Sequence, residues 1–191
     1  MSGTTSAGQF NDLLALAGDS SQSGRTQLLL GVTDLLADNG QEFNEQESVH
    51  LASIMSGLAR TADQSVKKQL ATRLCHSDNA PMDLIVGLAN DLIAISHPVL
   101  VHSPLLRDNH LLDIINERSQ DHLLAISARA TLPENVADAL MAKGNNSVLV
   151  QLAKNHGAQL SPPTIAHLVG RSKSVELLQE PLIEREDMPT D

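Results

Sequence analysis

Eight histidines, one cysteine and a set of regularly placed arginines are the side chains with chemistry to offer in this chain. The histidines are His50, His76, His97, His102, His110, His122, His156 and His167. A helical zinc protease needs two histidines four residues apart with a glutamate between them, and no pair here has that spacing. His97 and His102 stand five apart, with Asp108 and His110 close behind. That spacing does not select a coordination sphere, so no metal is expected. Cys75 alone cannot form an internal disulfide or a cysteine-based zinc site. It falls in the apolar phase of a helix and reads as a small buried hydrophobe. Acid–base catalysis would need a titratable group held beside a partner in a dry cleft. Asp91 near His97 and Asp121 beside His122 are no more than neighbours at helix ends. Gly24-Arg25-Thr26 lacks the glycine and lysine spacing of a phosphate cradle. The expectation is a protein that is not an enzyme and carries no cofactor.

The arginines offer more. Arg73, Pro98, Arg129 and Asn155 each stand three residues beyond a recurring apolar position, and such equivalent positions form a ladder along one face of a helical stack. Arg118, His122 and Arg171 fall near turns between successive units and would flank it. One reading is a locally basic groove suited to an acidic peptide, a carboxylate or a phosphate. The other is that these side chains bond to neighbouring helix C-termini, or to carboxylates such as Asp91 and Asp121.

The elements that must position them are helices. Anchors at Leu70, Ile95, Ile126, Leu152 and Leu178 are separated by 25, 31, 26 and 26 residues. A second set, Leu88, Ile115, Leu140 and Leu168, is separated by 27, 25 and 28. Two helices per period is the mark of stacked helical pairs, each too small to bury its own apolar face. Ahead of them, helices are predicted over about 10–17, about 24–38 and from about residue 45. The second carries Leu28, Val32, Leu35 and Leu36 inward, and the third Val49, Ile54, Leu58 and Ala59. Asp108, Gly144-Asn145-Asn146 and Ser161-Pro162-Pro163 supply helix caps and starts. The second repeat is about five residues longer, with prolines at Pro98 and Pro104, so a kink or loop is expected there. Leu105, Leu106, Leu111 and Leu112 bracket that insert and read as core filler. The last repeat has only its first helix, about 174–184, so the natural chain is expected to continue.

Composition agrees with helices and narrows the partners. Apolar residues are 41% of 191, almost all aliphatic, with Phe10 and Phe43 the only aromatics. Aliphatic ridges and grooves suit helix-on-helix packing. The net charge of −10 is spread along the chain, which repels phosphate backbones, and single-strand stacking platforms are missing. No nucleic-acid partner is expected. No apolar run reaches the roughly 18 residues of a membrane span, and the first nine residues lack the basic and apolar regions of a signal peptide.

Several stretches resemble one family. Residues 19–29 (DSSQSGRTQLL), 90–106 (NDLIAISHPVLVHSPLL), 118–129 (RSQDHLLAISAR), 155–158 (NHGA) and 185–189 (REDMP) are similar to signatures of the alphaproteobacterial domain of unknown function 2336 family. Together they span most of residues 10–189. Ser20 departs from the basic residue of that pattern. The resemblance implies a HEAT-like helical repeat domain, often followed by more chain, with no agreed activity or catalytic residues to carry over.

The reading is therefore an all-α protein: a short HEAT-like α-helical repeat (α-solenoid) with an N-terminal helical cap. Residues 1–9 form a disordered N-terminus, 10–62 the cap, 63–185 the repeats and 186–191 a polar tail. The expected function is a non-catalytic cytoplasmic interaction or regulatory module. It binds a protein partner along the repeat surface through Arg73, Arg118, His122, Arg129, Asn155 and Arg171. The alternatives are a sensor of a small anionic or nucleotide ligand in an Arg-lined groove, and a DNA-acting repeat protein, which the charge disfavours. The sequence leaves the oligomeric state open.

Overall fold

The computed structural model describes residues 21–37 and 45–187. Among them are eleven α-helices and one 3-10 turn. The helices are α1 Gln22–Ala37, α2 Glu45–Arg60, α3 Gln64–Leu74, α4 Met82–Ala89, α5 Ile93–His102, α6 Asp108–Glu117, α7 Gln120–Ser127, α8 Glu134–Lys143, α9 Asn146–Lys154, α10 Pro162–Ser172 and, after the turn Glu176–Leu178, α11 Gln179–Ile183. The extended pairing among the described residues is a single parallel bridge between Leu132 and Ala158. The fold is all-α. The helix expected over 10–17 lies outside the described residues, as do the side chains of Leu35, Leu36 and Val49.

The chain divides into two compact units, residues 1–88 with 103–105 and residues 89–102 with 106–191. In the first unit α1 packs on α2 and α3. Gln22 Nε2 donates to Asp63 Oδ2 at 3.0 Å where α1 and α3 begin. Arg73 pairs with Asp34 toward their ends. The two helices therefore run side by side in the same direction. Leu29, Val32, Met55, Ala59, Val66, Leu70 and Leu74 are buried. Ile54, expected inward, is 51% exposed, and Met55 is fully buried in its place. The two are adjacent on one helix, and the inward position goes to the unbranched, adaptable Met side chain.

In the second unit α5, α7 and α9 form one layer, and α6, α8 and α10 the other, each helix packing on the next member of its own layer. This is the two-helix period made visible. Its punctuation is local. Asn145 Oδ1 caps α9 by accepting from Val148 N at 3.1 Å. Ser161 Oγ accepts from Thr164 N, and Pro162 opens α10, where a missing N–H costs nothing. Asp108 lies inside the first turn of α6 rather than at its cap. The cap is Arg107, whose N–H donates to His110 Nδ1 at 3.3 Å. Asp108 instead accepts from Asn135 Nδ2 and joins the starts of α6 and α8.

Two expectations about the long second repeat change. Helix α5 continues through Pro98, and the irregular segment falls at residues 103–107. One helical hydrogen bond is lost at Pro98, but Ile95, Ser96, Val99 and Leu100 around it are all buried, and that packing holds the helix together. The α5 residue that matches Ile126 and Leu152 is Val99 rather than Ile95, one helical turn further on. The carbonyls capped at the helix ends, Leu100, Ser127 and Ala153, set that register. It makes the first-layer spacing 27, then 26 residues. Leu106 and Leu111 are buried and Leu105 and Leu112 half-buried, as core filler should be.

The last unit opens on a 3-10 turn followed by the five-residue α11, in place of a single helix over 174–184. Leu178 and Leu182 still reach the core beside Leu149, Ala153 and Leu168.

Candidate functional site

The last turn of an α-helix leaves four carbonyls without intrahelical partners, and the helix dipole makes that end negative. In the second unit each first-layer helix has this end bonded by a side chain from the next repeat. Arg129 Nη1 donates to Leu100 O of α5 at 2.6 Å. Asn155 Nδ2 donates to Ser127 O of α7 at 2.9 Å and to Arg129 O at 2.7 Å. Arg185 Nη1 donates to Asn155 O at 2.7 Å and to Ala153 O of α9 at 3.4 Å, and its Nη2 to Ala158 O at 3.0 Å. The ladder read from spacing exists within this unit, but its polar atoms point into the protein and join repeat to repeat.

Arg185 was not among the sequence candidates. Its side chain is 2% exposed, and Asp187 grips it from outside through Nε at 2.8 Å and Nη2 at 2.6 Å. This guanidinium holds the Asp187 carboxyl below the usual carboxylate range, chiefly through those hydrogen bonds. The available signal was the Arg185-Glu186-Asp187 stretch itself, but it lies 30 residues beyond Asn155, about four past the position that a 26-residue period marks.

The stretch 155–158 closes the same joint. Asn155 Oδ1 accepts from Gly157 N at 2.9 Å. Leu132 N donates to Gly157 O and Gln159 N to Leu132 O, which makes the parallel bridge. A Cβ on Gly157 would lie 1.9 Å from Ala130 O, so only glycine allows this approach. Burial also lowers the tendency of the Arg129 guanidinium to hold its proton, though an arginine stays charged near neutrality.

The flanking residues are also engaged. Arg118 Nε donates to Asn90 Oδ1 at 2.9 Å, not to Asp91. His122 is buried, with Nε2 2.9 Å from Asp91 O and Nδ1 2.8 Å from Ser119 Oγ. A carbonyl can only accept, so Nε2 donates to Asp91 O, while the Ser119 hydroxyl holds the other ring nitrogen. Arg171 Nη2 donates to Asn146 Oδ1 at 2.6 Å and links α10 to the start of α9. Arg73 belongs to the first unit and pairs with Asp34, both well exposed. The structure therefore links Arg129, Asn155 and Arg185 directly, and leaves Arg118 and His122 at Asn90 and Asp91 and Arg171 at the start of α9.

The outward side of the first layer differs in character. The positions following the same 27- and 26-residue register are His97, Leu124 and Val150. His97 and Leu124 are exposed and Val150 half-buried. Among the described residues, no group of three or more His, Cys, Asp or Glu is placed to hold a metal ion. Cys75 is buried in the first unit, donates to Thr72 O, and has its thiol pKa pushed up by burial. No helix among the described residues is long and apolar enough to cross a membrane.

A family model described as an uncharacterised protein conserved in bacteria (DUF2336) matches residues 95–191, just over half the chain. The match takes in the 118–129, 155–158 and 185–189 stretches and most of 90–106, while 19–29 lies outside it. Neither a curated protein nor a solved structure matches the chain.

Proposed function

The chain belongs to the DUF2336 family of bacterial proteins, and on that footing we propose that it is a non-catalytic cytoplasmic interaction module. In this reading its helical pairs act as a HEAT-like repeat and bind a protein partner along the outward side of the first layer. The observation that carries the reading is the capping ladder, Arg129 to Leu100, Asn155 to Ser127 and Arg185 to Ala153. Bonds of this kind fix α5, α7 and α9 at a constant register. Outward side chains then recur once per repeat, which is the geometry helical stacks use for extended recognition. Fold alone does not establish function, so the surface must be tested directly.

The partners of these arginines weigh against an Arg-lined anion groove: Arg129 donates to Leu100 O, and Arg118 and Arg171 donate to the asparagine side chains of Asn90 and Asn146. Photo-activatable crosslinkers placed singly at positions 97, 124 and 150, and at 73, 118 and 171, separate the two surfaces. Adducts to one discrete partner from the first set, and none from the second, are expected. Adducts confined to the second set would overturn the placement.

A further inference from the structure

The first unit contains a cavity of about 390 Å³ that none of the inter-repeat contacts uses. One wall is a single face of α1: Gln22, Arg25, Thr26 and Leu29, spaced i, i+3, i+4 and i+7 as helix geometry requires of neighbours on one side. The other wall is the end of α2 and the joint to α3, with Leu58, Thr61, Ala62 and Asp63. Leu29 is 1% exposed and Leu58 half-buried, so with Ala62 they form an apolar floor. The rim is polar and carries both signs of charge. Asp63 is held by Gln22 Nε2 at 3.0 Å, and its side chain makes no cap bond to α3. Arg25 lines the same cavity and is not paired with Asp63. The size lies within the range of small-molecule sites.

We propose that this cavity binds a small zwitterion, an α-amino acid with an aliphatic side chain, its carboxylate on Arg25 and its ammonium on Asp63. A guanidinium is suited to a carboxylate through two parallel N–H donors. A carboxylate accepts from the three donors of an ammonium. A cation and an anion that line one cavity without satisfying each other match a ligand carrying both charges better than a simple anion, which Asp63 repels. The apolar floor then takes the side chain. Thr26 and Thr61 add hydroxyls at the rim, the latter donating to Leu58 O at 3.2 Å and leaving its oxygen lone pairs to accept. This site lies in the first unit and stands or falls separately from the protein-binding surface.

The test is thermal denaturation and calorimetric titration of the full chain with L-leucine, L-valine and L-methionine. Controls are 4-methylpentanoate, which lacks the ammonium, and 3-methylbutylamine, which lacks the carboxylate. At least one amino acid is expected to raise the melting temperature by mass action, with both single-charge analogues at least about tenfold weaker, the loss of one charge-assisted contact. Arg25→Gln and Asp63→Asn, checked for unchanged helical content, are each expected to weaken binding by a similar factor. No response to any of the three amino acids overturns the proposal. So does equal binding of an analogue, or wild-type affinity in the folded Arg25→Gln protein.

Discussion

Replacing Arg185 by Met keeps an apolar stem in the same space and removes the guanidinium that joins the last rung to α9. Two of its carbonyl bonds, to Asn155 O at 2.7 Å and Ala158 O at 3.0 Å, are short, while that to Ala153 O is long at 3.4 Å. A hydrogen bond with a charged partner contributes about 1.5–3 kcal/mol, so the two short bonds account for roughly 3 kcal/mol at the low end of that range. Asp187 adds little, because its side chain is 46% exposed and water replaces the lost partner. The expected cost is about 3–4 kcal/mol, or roughly 10 °C in melting temperature for a chain of this length. Arg185→Lys keeps the charge but lacks the planar fork, so it is expected to fall between the two. Urea denaturation followed by circular dichroism reads the effect as a shift in midpoint with unchanged slope. The control is Arg73→Ala, which breaks an exposed pair and is expected to cost under about 1 kcal/mol. If Arg185→Met costs no more than that control, the guanidinium is not the buried clamp described above.

Other outcomes follow from the same joints. Gly157→Ala forces a methyl against Ala130 O and should cost at least about 2 kcal/mol by denaturation, through overpacking and loss of the Leu132–Ala158 bridge. Ser96→Ala should leave stability unchanged or raise it by about 1 kcal/mol, because the Ser96 hydroxyl is buried without a partner and its removal relieves that cost. Asp187 has a depressed pKa in the folded chain, so its contribution is present above the unfolded value of about 4 and is lost as pH falls through the folded one. Asp187→Asn should therefore be less stable than wild type at neutral pH and converge with it in acid. A constant difference across that range would refute the assignment.

The parts legible in the sequence were the local ones. Asn145 and Ser161 cap helices through a donor three residues away, so their type and position announce the role. The two-helix period was legible because burial at every turn leaves a trace in residue type. The choice between Ile54 and Met55 was not, since both are apolar and adjacent, and only the fold decides which one is buried. The Val99 register was hidden because α5 carries apolar residues at both Ile95 and Val99. Arg185 was missed for a different reason. Its protein partners in α9 and beyond are backbone carbonyls 27–32 residues away, and a carbonyl carries no residue identity. The same applies to Arg129 and Asn155. Spacing placed them on a ladder, but only coordinates show which way the ladder faces.

In the proposed reading the repeat arginines hold the stack together while the outward face of α5, α7 and α9 meets the partner. The deciding measurement is the affinity of the crosslinked partner, once identified, for Leu124→Glu and for Arg118→Gln, each folded as wild type. Leu124→Glu is expected to lose at least about tenfold in affinity, the effect of placing a charge in an apolar contact, and Arg118→Gln to stay near wild type. Loss of binding in Arg118→Gln with Leu124→Glu unaffected would place the partner on the arginines instead.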